Sequence, residues 1–118
     1  QRLTASGVLA EAEPLILDGK WDEAVTVLRR GVDVFPDEQE LRLSLARALG
    51  GQKDWGRSLE QFEASLSIGP ESAALNAEAA TTANAAGALD RAVELFSRAK
   101  QLEPTNPRHP LYLAMVQI

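Results

Sequence analysis

Three prolines, Pro36, Pro70 and Pro104, recur at intervals of 34 residues, each just behind an apolar stretch with helical spacing. Aligning the chain on them brings other columns into register. Trp21, Trp55 and Leu89 share one column; Ala24, Ser58 and Ala92 form a small one. Val25, Leu59 and Val93 give an aliphatic column, and Leu28, Phe62 and Phe96 a large apolar one. Val34, Ile68 and Leu102 precede the prolines. A beat of this length marks a stacked array of helical hairpins, in which each unit buries its apolar face only against its neighbours.

Read in order, the chain alternates short helices and tight turns. Helix 1 extends over Thr4–Leu17, with Pro14 expected to kink it near Ala10 or to shorten it, because an interior proline loses a hydrogen bond and clashes with the carbonyl four residues back. Asp18-Gly19 closes the turn. Helix 2 spans Trp21–Val34 and buries Trp21, Ala24, Val25, Leu28, Val32 and Phe35, a stripe of period 3.6. Helix 3 covers Glu38–Leu49 and ends at Gly50-Gly51. Helix 4, Trp55–Ile68, and helix 6, Leu89–Leu102, repeat helix 2. Helix 5, Ser72–Ala86, is dominated by alanine, the best helix former but a poor contributor of buried area. A seventh stretch follows Pro107. No strand-like alternation occurs, so the fold class is all-α.

Composition narrows the functions open to such an array. Seventeen acidic against twelve basic residues leave a net charge of −5. That balance argues against nucleic acid or an anionic membrane as partner, since both require a basic excess. The absence of cysteine excludes disulfides and thiolate metal sites. No apolar run reaches the ~18 residues of a membrane span, so no direct membrane insertion is expected. Nine arginines against three lysines, with nineteen alanines, point to a GC-rich bacterial genome. Cytoplasm and periplasm both stay open. The chain starts at Gln1 and is expected to be a fragment of a larger protein.

The stretches Gly19-Lys20-Trp21-Asp22-Glu23-Ala24, Gln52-Lys53-Asp54-Trp55-Gly56-Arg57-Ser58 and Gly87-Ala88-Leu89-Asp90-Arg91-Ala92, each followed by an apolar residue four further on and a proline twelve further on, resemble the tetratricopeptide repeat family. The resemblance covers nearly the whole chain. It implies repeats at about 5–38, 39–72 and 73–106, then 107–118 as the first helix of a further repeat or a capping helix. All belong to a single domain, 1–118, built as a right-handed superhelical stack of about seven antiparallel helices. Helices 1 and 5 depart from the family: Glu11 stands where a large apolar residue is usual, and alanines replace bulkier aliphatics.

Catalysis finds no support in the residues. The one histidine, His109, lies between Arg108 and Pro110 in a turn. A lone histidine cannot build a zinc site. Glu11 with Glu13, and Glu38 with Glu40, lie two apart and do not share a helix face. Gly50-Gly51 lacks the sequence context of a phosphate loop. No cofactor or metal is expected, and the chain is read as not an enzyme. Trp21 and Trp55, both at the start of a second helix, are expected to pack between the helices of a hairpin.

In the family resembled, the first helix of each pair lines a concave face. The candidate partner groove is therefore Leu9 and Glu13, with Ser6 and Ala10, from helix 1. Helix 3 adds Glu40, Leu43, Ser44 and Arg47, and helix 5 adds Ala74, Ala77, Glu78, Thr81 and Asn84. Some members clamp the acidic carboxyl terminus of heat-shock chaperones with lysines, asparagines and an arginine. The matching positions here, Leu9, Glu13, Ser44, Ala74 and Glu78, carry none of those types. A neutral or basic peptide or helix is the expected partner, held by a non-catalytic scaffold. The alternative is a structural spacer that self-associates as a homodimer through the apolar face of Leu111, Tyr112, Met115 and Ile118, with Leu113 beside them.

Overall fold

The computed structural model describes residues 2–104. They form six α-helices and, among the described residues, no strand: α1 (Ala5–Leu17), α2 (Trp21–Val34), α3 (Gln39–Gly51), α4 (Trp55–Ile68), α5 (Ala73–Ala85) and α6 (Leu89–Leu102). The chain falls into two compact units that part between Gly69 and Pro70. In the first, α1 packs on α2, and α3 packs against both α2 and α4 and touches α1. In the second, α5 and α6 pack against each other. The seventh stretch, with Leu111, Tyr112, Met115 and Ile118, lies outside the described residues, as does His109.

The turn inside each helix pair is built the same way three times. Lys20 N–H donates to Leu15 O (2.8 Å), Asp54 N–H to Leu49 O (2.9 Å) and Ala88 N–H to Ala83 O (2.9 Å). Each is the long bond of a Schellman C-cap, which needs one residue in the left-handed region between the helices. Gly19 (φ 71°), Lys53 (φ 64°) and Gly87 (φ 81°) hold that place, 34 residues apart. Two of the three positions use the residue that adopts this conformation without a Cβ penalty. The middle one does not.

Entry to α1 and α5 is set by hydroxyl caps, whereas α3 starts at Glu38 without a side-chain cap. Thr4 accepts a hydrogen bond from Gly7 N–H at 3.0 Å and Ser72 accepts one from Leu75 N–H at 3.0 Å. Each satisfies one of the orphan donors of a first turn.

The core of the first unit runs through Val8, Ala12, Ala24, Val25, Leu28, Val32, Leu41, Leu45, Ala48 and Leu49, with Trp21 and Phe35 half-buried against it. These include Ala24, Val25, Leu28 and Val32 of the stripe expected of helix 2. In α4 the expected Phe62 is buried, whereas Leu59 and Leu66 are only half-buried. Ser58 and Ser65 fill the fully buried positions instead. Each finds a carbonyl inside the protein. Ser58 Oγ donates to Ala46 O at 2.6 Å, and Ser65 Oγ to Phe62 O at 2.7 Å. A buried hydroxyl that keeps its hydrogen bond avoids most of the desolvation penalty.

The structure refines three expectations. Pro14 does not shorten α1: the helix runs thirteen residues, as do α3 and α5. The proline sits in the last turn, and Ala10, whose carbonyl loses its partner there, lies on an exposed face where water can replace it. α3 ends at Gly50-Gly51, but the pair is helical and forms its last two residues, with Gln52 as the cap. Gly51 is there for packing, because a Cβ on it would run into the indole of Trp21. That contact also gives Trp21 a neighbour outside its own hairpin. It spans from α2 to α3, between successive hairpins, while Trp55 lies beside Gly50 within its own hairpin.

Candidate partner-binding clefts

At about 3.6 residues per turn, Glu40, Ser44 and Arg47 fall on one side of α3, and Arg42, Leu45 and Leu49 on the other. The structure places a cleft on each side.

The first cleft lies between α1 and α3 and encloses about 380 Å³. Leu9, Ala12, Glu13, Ile16 and Leu17 supply the α1 wall; Glu40, Ser44 and Arg47 supply the α3 wall. Of the residues expected in a groove, it brings together Leu9, Glu13, Glu40, Ser44 and Arg47. Leu43 is not among them. Its side chain is buried, 7% exposed. Ser6 and Ala10 are exposed but do not line the cleft. The sequence reading missed Ile16 and Leu17, although Leu9, Glu13, Ile16 and Leu17 follow the i, i+4, i+7, i+8 spacing of one helix face. Leu17 is 78% exposed, an apolar side chain at the edge of the cleft with no core to cover it.

Two carboxylates and one guanidinium line this cleft, so its local charge is negative. The small Ala12 and Ser44 leave room between the helices, while Leu9 and Ile16 give an apolar floor.

In the second unit the expected residues Ala74, Ala77, Glu78, Thr81 and Asn84 make up the least buried face of α5. Ala74, Thr81 and Asn84 are exposed, and Ala77 and Glu78 are half-buried. Thr81 Oγ1 donates to Ala77 O at 3.0 Å. The opposite face buries Ala73, Leu75, Asn76, Ala79, Ala80, Thr82 and Ala83.

The second cleft of the first unit, about 340 Å³, lies between α2 and α4 over the other side of α3. Val32, Leu45 and Leu49 form its floor, and Arg29, Asp33, Arg42, Arg57, Glu60 and Gln61 its walls. Arg42 is held in place by two hydrogen bonds, from Nε to Pro36 O (3.0 Å) and from Nη1 to Gln61 Oε1 (3.1 Å). The sequence reading did not foresee this cleft. Its charged residues are spread over three helices and converge only once those helices pack.

Among the described residues no group of three or more His, Cys, Asp or Glu side chains is placed to hold a metal ion. No helix among them is long and apolar enough to cross a membrane.

Comparison with solved structures finds the same fold. The chain is similar to the first tetratricopeptide repeat domain of Spaghetti (RPAP3) bound to the HSP90 peptide SRMEEVD, with a TM-score of 0.84 at 19% identity over 96% of this chain and 90% of that one. It is similar to the second such domain of human RPAP3 in complex with the HSP70 peptide SGPTIEEVD, with a TM-score of 0.86, 18% identity and coverage of 97% and 95%. The Yersinia enterocolitica type III secretion chaperone SycD, in complex with a peptide of the translocator YopD, matches with a TM-score of 0.82, 14% identity and coverage of 95% and 91%. No curated protein matches the chain in sequence. The family model for the tetratricopeptide repeat matches residues 9–73 and again 43–107, and with the repeated turn geometry above this establishes that the chain belongs to the tetratricopeptide repeat family.

Proposed function

We propose that the chain is a non-catalytic protein–protein interaction module that holds a neutral or basic peptide or helical segment of a partner in the cleft between α1 and α3. The observation that carries this reading is the cleft itself: an apolar floor of Leu9 and Ile16, an exposed Leu17 at its edge, and Glu13 and Glu40 on its walls. An amphipathic segment seats apolar side chains on such a floor and offers its charges to the rim. The carboxylates favour lysine or arginine there and disfavour an acidic segment. That three relatives of the same fold carry peptides of other proteins supports a binding role. The open face of α5, with Ala74, Ala77, Glu78, Thr81 and Asn84, is a second contact surface in this reading.

The test uses fluorescence anisotropy with a labelled Leu-Lys-Leu-Lys-Leu peptide and its Leu-Glu-Leu-Glu-Leu counterpart. The basic peptide binds the wild-type chain, the acidic one does not, and Glu13→Lys with Glu40→Lys reverses the order. Equal binding of both peptides to wild type, or no effect of the double variant, removes this reading.

A further inference from the structure

We propose that the cleft between α2 and α4 is a separate docking site for an acidic peptide segment, whose carboxylates are held by Arg29 and Arg57 beside the fixed Arg42. The proposal does not depend on the function assigned to the α1/α3 cleft, because the two lie on opposite sides of α3 and share no lining residue.

Charge concentration is the first argument. A chain of net charge −5 with only nine arginines places three of them around one space of about 340 Å³. The second is the state of those side chains. Arg42 is half-buried and oriented by Pro36 O and Gln61 Oε1, so part of the site is organised before any ligand arrives. Arg29 makes no ion pair among the described residues. Arg57 has only a loose contact with Asp54, 3.7 Å between Nε and Oδ2 on exposed side chains. An exposed pair of that length contributes little, so Arg57 can exchange it for an incoming carboxylate. Guanidinium groups bind carboxylates through paired, charge-assisted hydrogen bonds.

Asp33 and Glu60 decide the kind of anion. They line the same cleft and would repel a closely spaced run of charge, as in nucleic acid. They tolerate a peptide in which carboxylates are separated by an uncharged residue. The floor of Val32, Leu45 and Leu49 suits an aliphatic side chain between them.

The test is amide chemical-shift mapping on the whole chain with an acetylated, amidated Glu-Leu-Glu peptide. Its Gln-Leu-Gln counterpart and inorganic phosphate serve as comparisons. The expected result is that Glu-Leu-Glu shifts amides of residues 29–33 and 57–61, while Gln-Leu-Gln does not. Arg29→Glu with Arg57→Glu weakens binding about tenfold or more, the loss of two charge-assisted contacts. Arg30→Glu, exposed and outside the cleft, leaves it unchanged at the same alteration of charge per site. Because Arg29, Arg30 and Arg57 are all exposed, the variants retain the fold, which circular dichroism verifies. The proposal is overturned if the peptide shifts the α1/α3 residues instead, if the double variant binds like wild type, or if phosphate alone reproduces the shifts and Glu-Leu-Glu does not.

Discussion

The indole of Trp21 lies directly over the α-carbon of Gly51, joining α2 of the first hairpin to the last turn of α3 in the second. A Cβ at position 51 would enter the ring, so Gly51→Ala must displace Trp21 or part the helices. Overpacking of this kind costs about 1–3 kcal/mol, more than the ~0.5–1 kcal/mol that alanine gains over glycine in a helix. Gly51→Ala is therefore expected to lower the stability of the first unit by about 1 kcal/mol in urea unfolding. Gly56→Ala is the matched control. Gly56 lies in α4 with open space where its Cβ would go, so that substitution should stabilise by about 0.5–1 kcal/mol.

Lys53 occupies the left-handed position that Gly19 and Gly87 fill in the other two turns. For a residue with a Cβ this conformation costs roughly 1–2 kcal/mol. Glycine removes that strain but loses more freedom on folding, by about 0.5–1 kcal/mol. Lys53→Gly should thus stabilise by about 0.5–1 kcal/mol, read as a higher urea midpoint with an unchanged slope. Gly19→Ala and Gly87→Ala should do the opposite by a similar amount.

The periodicity made α2, α4 and α6 legible to the residue, because an apolar stripe of period 3.6 and a terminating proline mark both ends. Helix existence was equally plain for α1, α3 and α5. Their ends were not, since Gly50 and Gly51 look alike as helix stops and only the packing of Trp21 shows why α3 continues through them. Of the groove residues named from the family resemblance, Leu9, Glu13, Glu40, Ser44 and Arg47 line the α1/α3 cleft. The α2/α4 cleft could not be read, as Arg29, Arg42 and Arg57 are brought together only by tertiary packing.

Ser58 shares its column with Ala24 and Ala92, and all three are fully buried. Its hydroxyl bonds Ala46 O, a carbonyl within α3 that helical geometry already pairs. Ser58→Ala therefore leaves no orphan donor and should cost no more than about 1 kcal/mol. Ser58→Val adds two methyl groups where the other repeats have one carbon and should cost about 1–3 kcal/mol. Thermal unfolding of the two variants side by side separates the hydrogen bond from the space.

Leu17 and Arg47 face the same cleft from opposite walls, one apolar and exposed, the other charged. If a partner segment seats on this cleft, burying Leu17 supplies a large part of the apolar contact, worth about 1.5–3 kcal/mol for a side chain of that size. Leu17→Ala should then weaken the basic peptide by about tenfold or more while leaving stability almost unchanged, because the side chain is not part of the core. Arg47→Glu adds a third carboxylate and should strengthen the basic peptide, with an increase that shrinks as salt is raised. A calorimetric titration at two ionic strengths reads both effects, and a Leu17→Ala variant that binds as tightly as wild type places the partner elsewhere.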